Sequence, residues 1–355
     1  MLEGRTYVPL LHARLAEMRA LRELPQSSKS LLVPIVKLRP WLNSKSLDRA
    51  FDVIEESVGA GLYGLDLDAT KFEIKPDSSR PARVEFSKLF DPVGAFRNYY
   101  DVVEAGTNRV PVMRNVADGS VQVDGQLAHV ERIDRGLFIR ISPGAPGRVF
   151  DICEEVETRG ISNCVVVFDC GWGRDILNQA ALCVPLIERI LDISEDFEIV
   201  VAGSSFPDSF TGLGDRFEIE ARERVLFQEV RRALNRGTLV YGDWGSTRPP
   251  TDPVPMMNIP RIDTARPLSW ISWRSEDGET YQDIAVRAIE DPLWDGTLGI
   301  WGEYMIESTV AGGDGAIKSP AMAAAVRVNL HLHQQANSEN PGGLIVHDEP
   351  VGDDL

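Results

Sequence analysis

Eight short apolar runs rich in valine and isoleucine recur along the chain, each followed by polar residues and then by a segment of helical period. They are YVPLL at 7–11, LLVPIVKL at 31–38, YGLDLD at 63–68, RVPVMRN at 109–115, GLFIRIS at 136–142, CVVVFD at 164–169, FEIVVAGSS at 197–205 and TLVYGD at 238–243. Between them lie helices with one apolar face, such as Leu47, Ala50, Phe51, Ile54 and Val58, or Val149, Ile152, Cys153 and Val156. Apolar strands alternating with such helices imply a parallel sheet covered on its outer face. Eight units within the first 243 residues fit a (β/α)8 barrel better than an open doubly wound sheet. The expected fold is therefore α/β, a TIM-like barrel with an extra C-terminal strand and helices.

The joints agree with this reading. Gly59, Gly106, Gly160 and Gly237 each stand a few residues before a strand, where a left-handed residue closes a helix. Asp91 before Pro92 reads as a capped helix start, and Asp175 as another. A ninth run, SWISWRS at 269–275, follows a segment from Trp244 to Ser269 that holds six prolines and cannot be a regular helix. We expect YVPLL to open the barrel, with Ala13 to Leu24 as its crossover helix, and the tryptophan strand to be an addition over the mouth. The organisation expected is a barrel over 1–243, a proline-rich connection over 244–269, a C-terminal strand and helices over 270–335 packed on the barrel, and a disordered acidic tail over 336–355.

Charge and composition exclude several classes. With 37 Lys and Arg against 54 Asp and Glu, the formal net charge is −17, which repels a phosphate backbone and argues against a nucleic-acid groove. The sign favours basic partners. Cys153, Cys164, Cys170 and Cys183 form no CxxC pair and have no nearby histidine, so reduced thiols are expected rather than a zinc site. No stretch approaches the roughly 18 apolar residues of a membrane span. A cytoplasmic protein without a membrane partner is expected.

In a barrel, ligand sites lie at the C-terminal ends of the strands. Those ends are charged here: Lys37 and Arg39, Asp66 and Asp68, Arg114, Arg140, Asp169 and Asp243, with Arg274 on the extra strand. One reading is a belt of buried ion pairs that plugs the barrel, because interior charges must be paired. The other is a pocket in which Lys37, Arg114, Arg140 and Arg274 bind an anion while Asp68, Asp169 and Asp243 supply base or metal-ligand chemistry. The cofactor is unknown on this reading, with a divalent metal as the candidate. GWG at 171–173 offers amides before a helix but matches no phosphate-binding motif. His331 and His333 stand two apart, on different faces of a helix, and read as core or surface histidines. Trp244, Trp270, Trp273, Trp294 and Trp301 gather late in the chain, as cover for an apolar edge, a lid or a partner surface.

The strings YVPLLHARLAEMRAL, VPIVKLRP, YGDWGSTRPP, SWISWRSEDGETY and WGEYMIESTVAGG, with AAAVRVNLHLH, resemble the Beta family proteins over most of the chain. Tyr241, Gly242 and Asp243, with Trp273 and Arg274, are the most distinctive matches. The resemblance implies a barrel-like protein of phage satellites and bacterial defence islands, similar to an antitoxin, and transfers no catalytic residue. Two functions are therefore expected as alternatives. One is an accessory or immunity component of an antiphage or toxin and antitoxin locus that binds a protein partner from that locus. The other is a barrel enzyme acting on a phosphorylated or anionic small molecule, such as a nucleotide, through the Arg and Asp residues at the strand ends.

Overall fold

All eight expected runs are strands, and in the computed structural model they pair in a single parallel order. The structure describes residues 1–70, 79–118, 122–210, 212–249, 259–276, 278–313 and 315–346. The strands are β1 (Tyr7–His12), β2 (Ile35–Leu38), β3 (Tyr63–Leu67), β4 (Arg109–Pro111), β5 (Leu137–Ile141), β6 (Cys164–Trp172), β7 (Glu198–Ser204) and, after the inserted β8 (Arg216–Glu220), β9 (Thr238–Asp243). Their order is β4-β3-β2-β1-β9-β7-β6-β5. The two ends of that order meet: Val112 bridges Phe138 in parallel, and the Met113 amide donates to the Phe138 carbonyl at 2.8 Å. This seam turns the sheet into a barrel, and YVPLL opens it, as expected.

Alternation along each strand separates two cores. Val8, Leu10, Ile35, Val110, Phe138, Val167, Val200 and Val240 fill the interior. Tyr7, Leu11, Val36, Leu65, Ile139, Val166, Val201 and Tyr241 face the helices. Phe138 lies across the interior at the seam, and Gly64 on β3 makes room for it. A Cβ at position 64 would stand 3.0 Å from the Phe138 ring and 3.0 Å from Ile35.

A second layer is a three-stranded antiparallel sheet in the order β10-β11-β8, where β10 is Arg261–Ala265 and β11 is Ser269–Arg274. It packs with the helices Tyr281–Glu290 and Trp301–Ala311 around Trp270, Trp273 and Trp301. The helix Pro320–Ala336 belongs to both cores. Its Val328, Leu332 and Ala336 pack with the barrel's outer core, while Ala325, Val326 and Leu330 pack with the antiparallel layer. Packed on the helix Leu15–Arg22, and bonded through Gln335 to Arg224, it completes the ring of helices around the barrel.

Some local expectations are corrected. Gly59, Gly160 and Gly237 have positive φ, but Gly106 is extended at φ −99°. It is needed for closeness instead, because a Cβ there would fall 2.3 Å from the Arg109 Nε. Asp91 holds a turn by accepting from the Val93 amide at 3.0 Å, and the helix begins only at Arg97. Asp175 does cap its helix, accepting from the Asn178 amide at 3.2 Å. Of the expected connection, residues 250–258 lie outside the described residues, and its later part contributes β10. Of the tail, residues 337–346 turn back through a short helix (Pro341–Gly343) until the Val346 amide reaches the Leu298 carbonyl at 2.9 Å, and residues 347–355 lie outside the described residues.

Replacing Phe138 by alanine empties the interior at its seam and should cost about 3–5 kcal/mol. A urea unfolding curve checks this, and a loss below about 1 kcal/mol would show that the seam closes without the ring.

Candidate functional site

The interior stacking ends upward in polar residues, because the same inward parity that carries valines at the strand bases carries His12, Lys37, Asp66, Arg140, Asp169 and Trp244 near the C-terminal ends. Asp66 is the hub. One carboxylate accepts from Lys37 Nζ at 2.9 Å, from Arg114 Nη1 at 2.7 Å and from the Leu67 amide at 2.7 Å, with Arg140 Nε at 3.1 Å. Arg140 also reaches Asp169 through Nη1 at 2.7 Å, and Trp244 Nε1 donates to the other Asp169 oxygen at 3.0 Å. Asp68 sits above, fully buried, accepting from the Thr70 amide at 3.1 Å, with Arg39 Nη1 at 3.8 Å.

Burial alone would raise the Asp66 carboxyl, yet Lys37, Arg140 and Arg114 together hold it far below the ordinary range. Burial, reinforced by Arg140, lowers the Lys37 ammonium. His12 is likewise held well below its usual value by burial and by Arg14, so its ring is neutral at pH 7. Its Nε2 faces the Arg248 carbonyl at 3.1 Å and its ring lies 5.4 Å from Trp244. A carbonyl only accepts, so the Nε2 of a neutral ring carries the hydrogen and Nδ1 is left as an acceptor.

The structure thus brings together Lys37, Asp66, Arg114, Arg140 and Asp169, with Asp68 beside them, and leaves two expected residues elsewhere. Asp243 has the opposite parity and points outward. There it accepts from Tyr241 Oη at 2.7 Å and from the Gly245 amide at 2.7 Å, and bonds His331 Nε2 at 2.7 Å and Tyr7 Oη. Arg274 ends β11, donating to the Phe210 carbonyl at 3.1 Å. Asp68, Asp169 and Asp243 therefore form no ligand set, and among the described residues no cluster of three His, Cys, Asp or Glu is placed to hold a metal ion. His331 and His333 are indeed core histidines on different faces, the latter paired with Ser28 Oγ at 2.8 Å. The GWG segment is not a free loop: Gly171 and Trp172 prolong β6 past a bulge, Trp172 pairing with Ser204, and the Gly173 amide donates to the Ser204 carbonyl at 2.9 Å.

His12 was not singled out from the sequence, and Trp244 was read only as one of the late tryptophans. Their signal was parity: His12 follows Val8 and Leu10 by twos, and Trp244 follows Val240 and Gly242. The outward network was missed too. Beside Asp243, Glu223 is buried and accepts from Ser205 Oγ, and burial together with Asp243 pushes its carboxyl up to about 7.

The outer surface carries a different feature. Trp244 is buried in the barrel interior and Trp270, Trp273 and Trp301 in the antiparallel layer, so none of the four offers a surface. The helix Ile176–Ile193 instead has no charged residue from 176 to 187 and leaves Leu177 71% and Leu182 41% exposed. It packs on the helix Val149–Arg159, whose Asp151, Glu154 and Glu155 line a groove with Asp124 and Arg148, in which Arg148 pairs with Asp151 at 2.8 Å and Arg159 with Asp124 at 3.0 Å and Glu155 at 2.7 Å.

A family model described as Beta protein matches residues 7–337, spanning the barrel and the antiparallel layer alike. The chain belongs to the Beta protein family. Protein beta of Enterobacteria phage P4 is 27% identical over 348 residues, covering 94% of this chain and 93% of that protein. The matched span includes every residue of the rim in this family member, and both flanks of the Asp243 network. No helix among the described residues is long and apolar enough to cross a membrane.

Two outcomes follow from these networks. Asp66→Asn leaves three cations around a neutral amide and should cost about 3–5 kcal/mol in urea unfolding. For Glu223, the folded carboxyl binds its proton more tightly than the ordinary value of 4.5, so stability falls as pH rises from 4.5 towards 7. Glu223→Gln should flatten that fall by up to about 3 kcal/mol, read by comparing unfolding of the two proteins at pH 5, 6 and 7.

Proposed function

We propose that this chain is an antitoxin-like accessory or immunity component of a phage or bacterial conflict locus, acting in the cytoplasm by binding a basic protein partner. The observation that carries the reading is the uncharged outer face of the helix Ile176–Ile193 with Leu177 and Leu182 exposed. A barrel helix needs only its inner stripe apolar, so an apolar outer stripe marks a surface awaiting cover. Burying each leucine contributes about 1.5–3 kcal/mol. The net charge of −17 selects the sign of the partner and speeds its approach. Kinship with a phage P4 protein supports the setting.

The test is co-expression with the individual products of neighbouring genes. One of them should copurify with the wild-type chain in fixed proportion, more weakly at high salt. The double variant Leu177→Asp and Leu182→Asp should lose the complex by about 100-fold or more while its unfolding curve is unchanged, as expected for exposed positions. Retention of the complex by that variant, or no binding by any neighbouring product, would overturn the reading.

A further inference from the structure

We propose that the mouth of the barrel binds a hydroxylated phosphate monoester, with its phosphate on Arg140 and Lys37 and a hydroxyl on His12. The inference is independent of the partner surface, which lies on the outside of the ring.

Arg140 is the most exposed of the rim cations that touch Asp66, its side chain 26% accessible against 9% for Arg114 and 3% for Lys37. Its Nε and Nη1 are fixed on Asp66 and Asp169, and its Nη2 makes no hydrogen bond among the described residues. The two carboxylates therefore orient the fork and leave one corner for a ligand. Lys37 Nζ and Arg140 Nε both contact the same oxygen, Asp66 Oδ2, so they lie within about 6 Å of each other. Of the three Lys37 donors, one has an acceptor among the described residues. Arg114 Nε is also buried without a hydrogen-bond partner among the described residues. Donors outnumber acceptors here, and held in a low-dielectric setting they favour a compact dianion.

The unmatched acceptors specify the rest of the ligand. His12 Nδ1 is buried without a hydrogen bond among the described residues, and by the tautomer argument it accepts. Asp68 Oδ2 is likewise buried without a hydrogen bond among the described residues, with Arg39 Nη1 at 3.8 Å. A free anion satisfies the donors alone. A phosphate ester carrying hydroxyl groups satisfies both sets, and the location at the C-terminal ends of the strands is where barrels place their ligands.

The experiment is calorimetric titration of the full chain with ribose 5-phosphate, inorganic phosphate and ribose at constant ionic strength. Ribose 5-phosphate should bind saturably, inorganic phosphate about tenfold more weakly, and ribose not at all. Arg140→Lys keeps the charge but not the fork and should weaken ribose 5-phosphate by about tenfold or more. His12→Phe should erase the advantage of the ester over inorganic phosphate. Circular dichroism selects folded variants, and the ranking of the three probes on the wild-type chain decides the matter if neither variant folds. No saturable binding of ribose 5-phosphate up to about 10 mM, or binding no tighter than inorganic phosphate, would overturn the proposal.

Discussion

A closed ring of parallel strands gives every strand one inside and one outside, and most of what is distinctive here follows from which residue falls on which side. Along β9, Val240, Gly242 and Trp244 look inward, while Tyr241 and Asp243 look outward. One position therefore separates two charged centres that share a strand end. The inner centre is organised around Asp66, and the outer around Asp243. Each carboxylate is buried and remains acidic because it is surrounded by donors supplied from several separate strands or helices, and the enclosure of the barrel keeps those donors in place.

The barrel was legible because its signal repeats. Eight apolar runs of similar length, each followed by a helical stretch, leave few arrangements open, and handedness settles the rest. The antiparallel layer was only a third visible. SWISWRS announced β11 through its tryptophans, but RFEIE in β8 carries three charges in five residues and buries only Phe217 and Ile219, and β10 follows a proline-rich stretch. A strand with one wet face has half the apolar content of a barrel strand and is easily read as loop.

The charged rim was legible as a list of strand-end residues but not as a constellation. Strand ends gave Lys37, Asp66, Arg114, Arg140 and Asp169 correctly. Asp243 was grouped with them because it closes its run, although parity relative to Val240 already excluded it. Its true partner, His331, lies 88 positions away on a helix whose place against the barrel no local pattern encodes. His12 escaped notice, and Trp244 was grouped with the other late tryptophans, for a related reason: neither carries a motif, and their meaning comes from the ring they complete.

The helix Pro320–Ala336 is the last long element of the chain, yet it fills the gap in the outer ring between the first helix and the one that precedes β9. During synthesis the barrel wall around Tyr7, Tyr241 and Asp243 is made early and covered late. Until that helix has been made and has docked, the nascent protein carries a bare apolar flank and an unshielded carboxylate at the same spot, which makes this flank the part of the unfinished chain most open to aggregation.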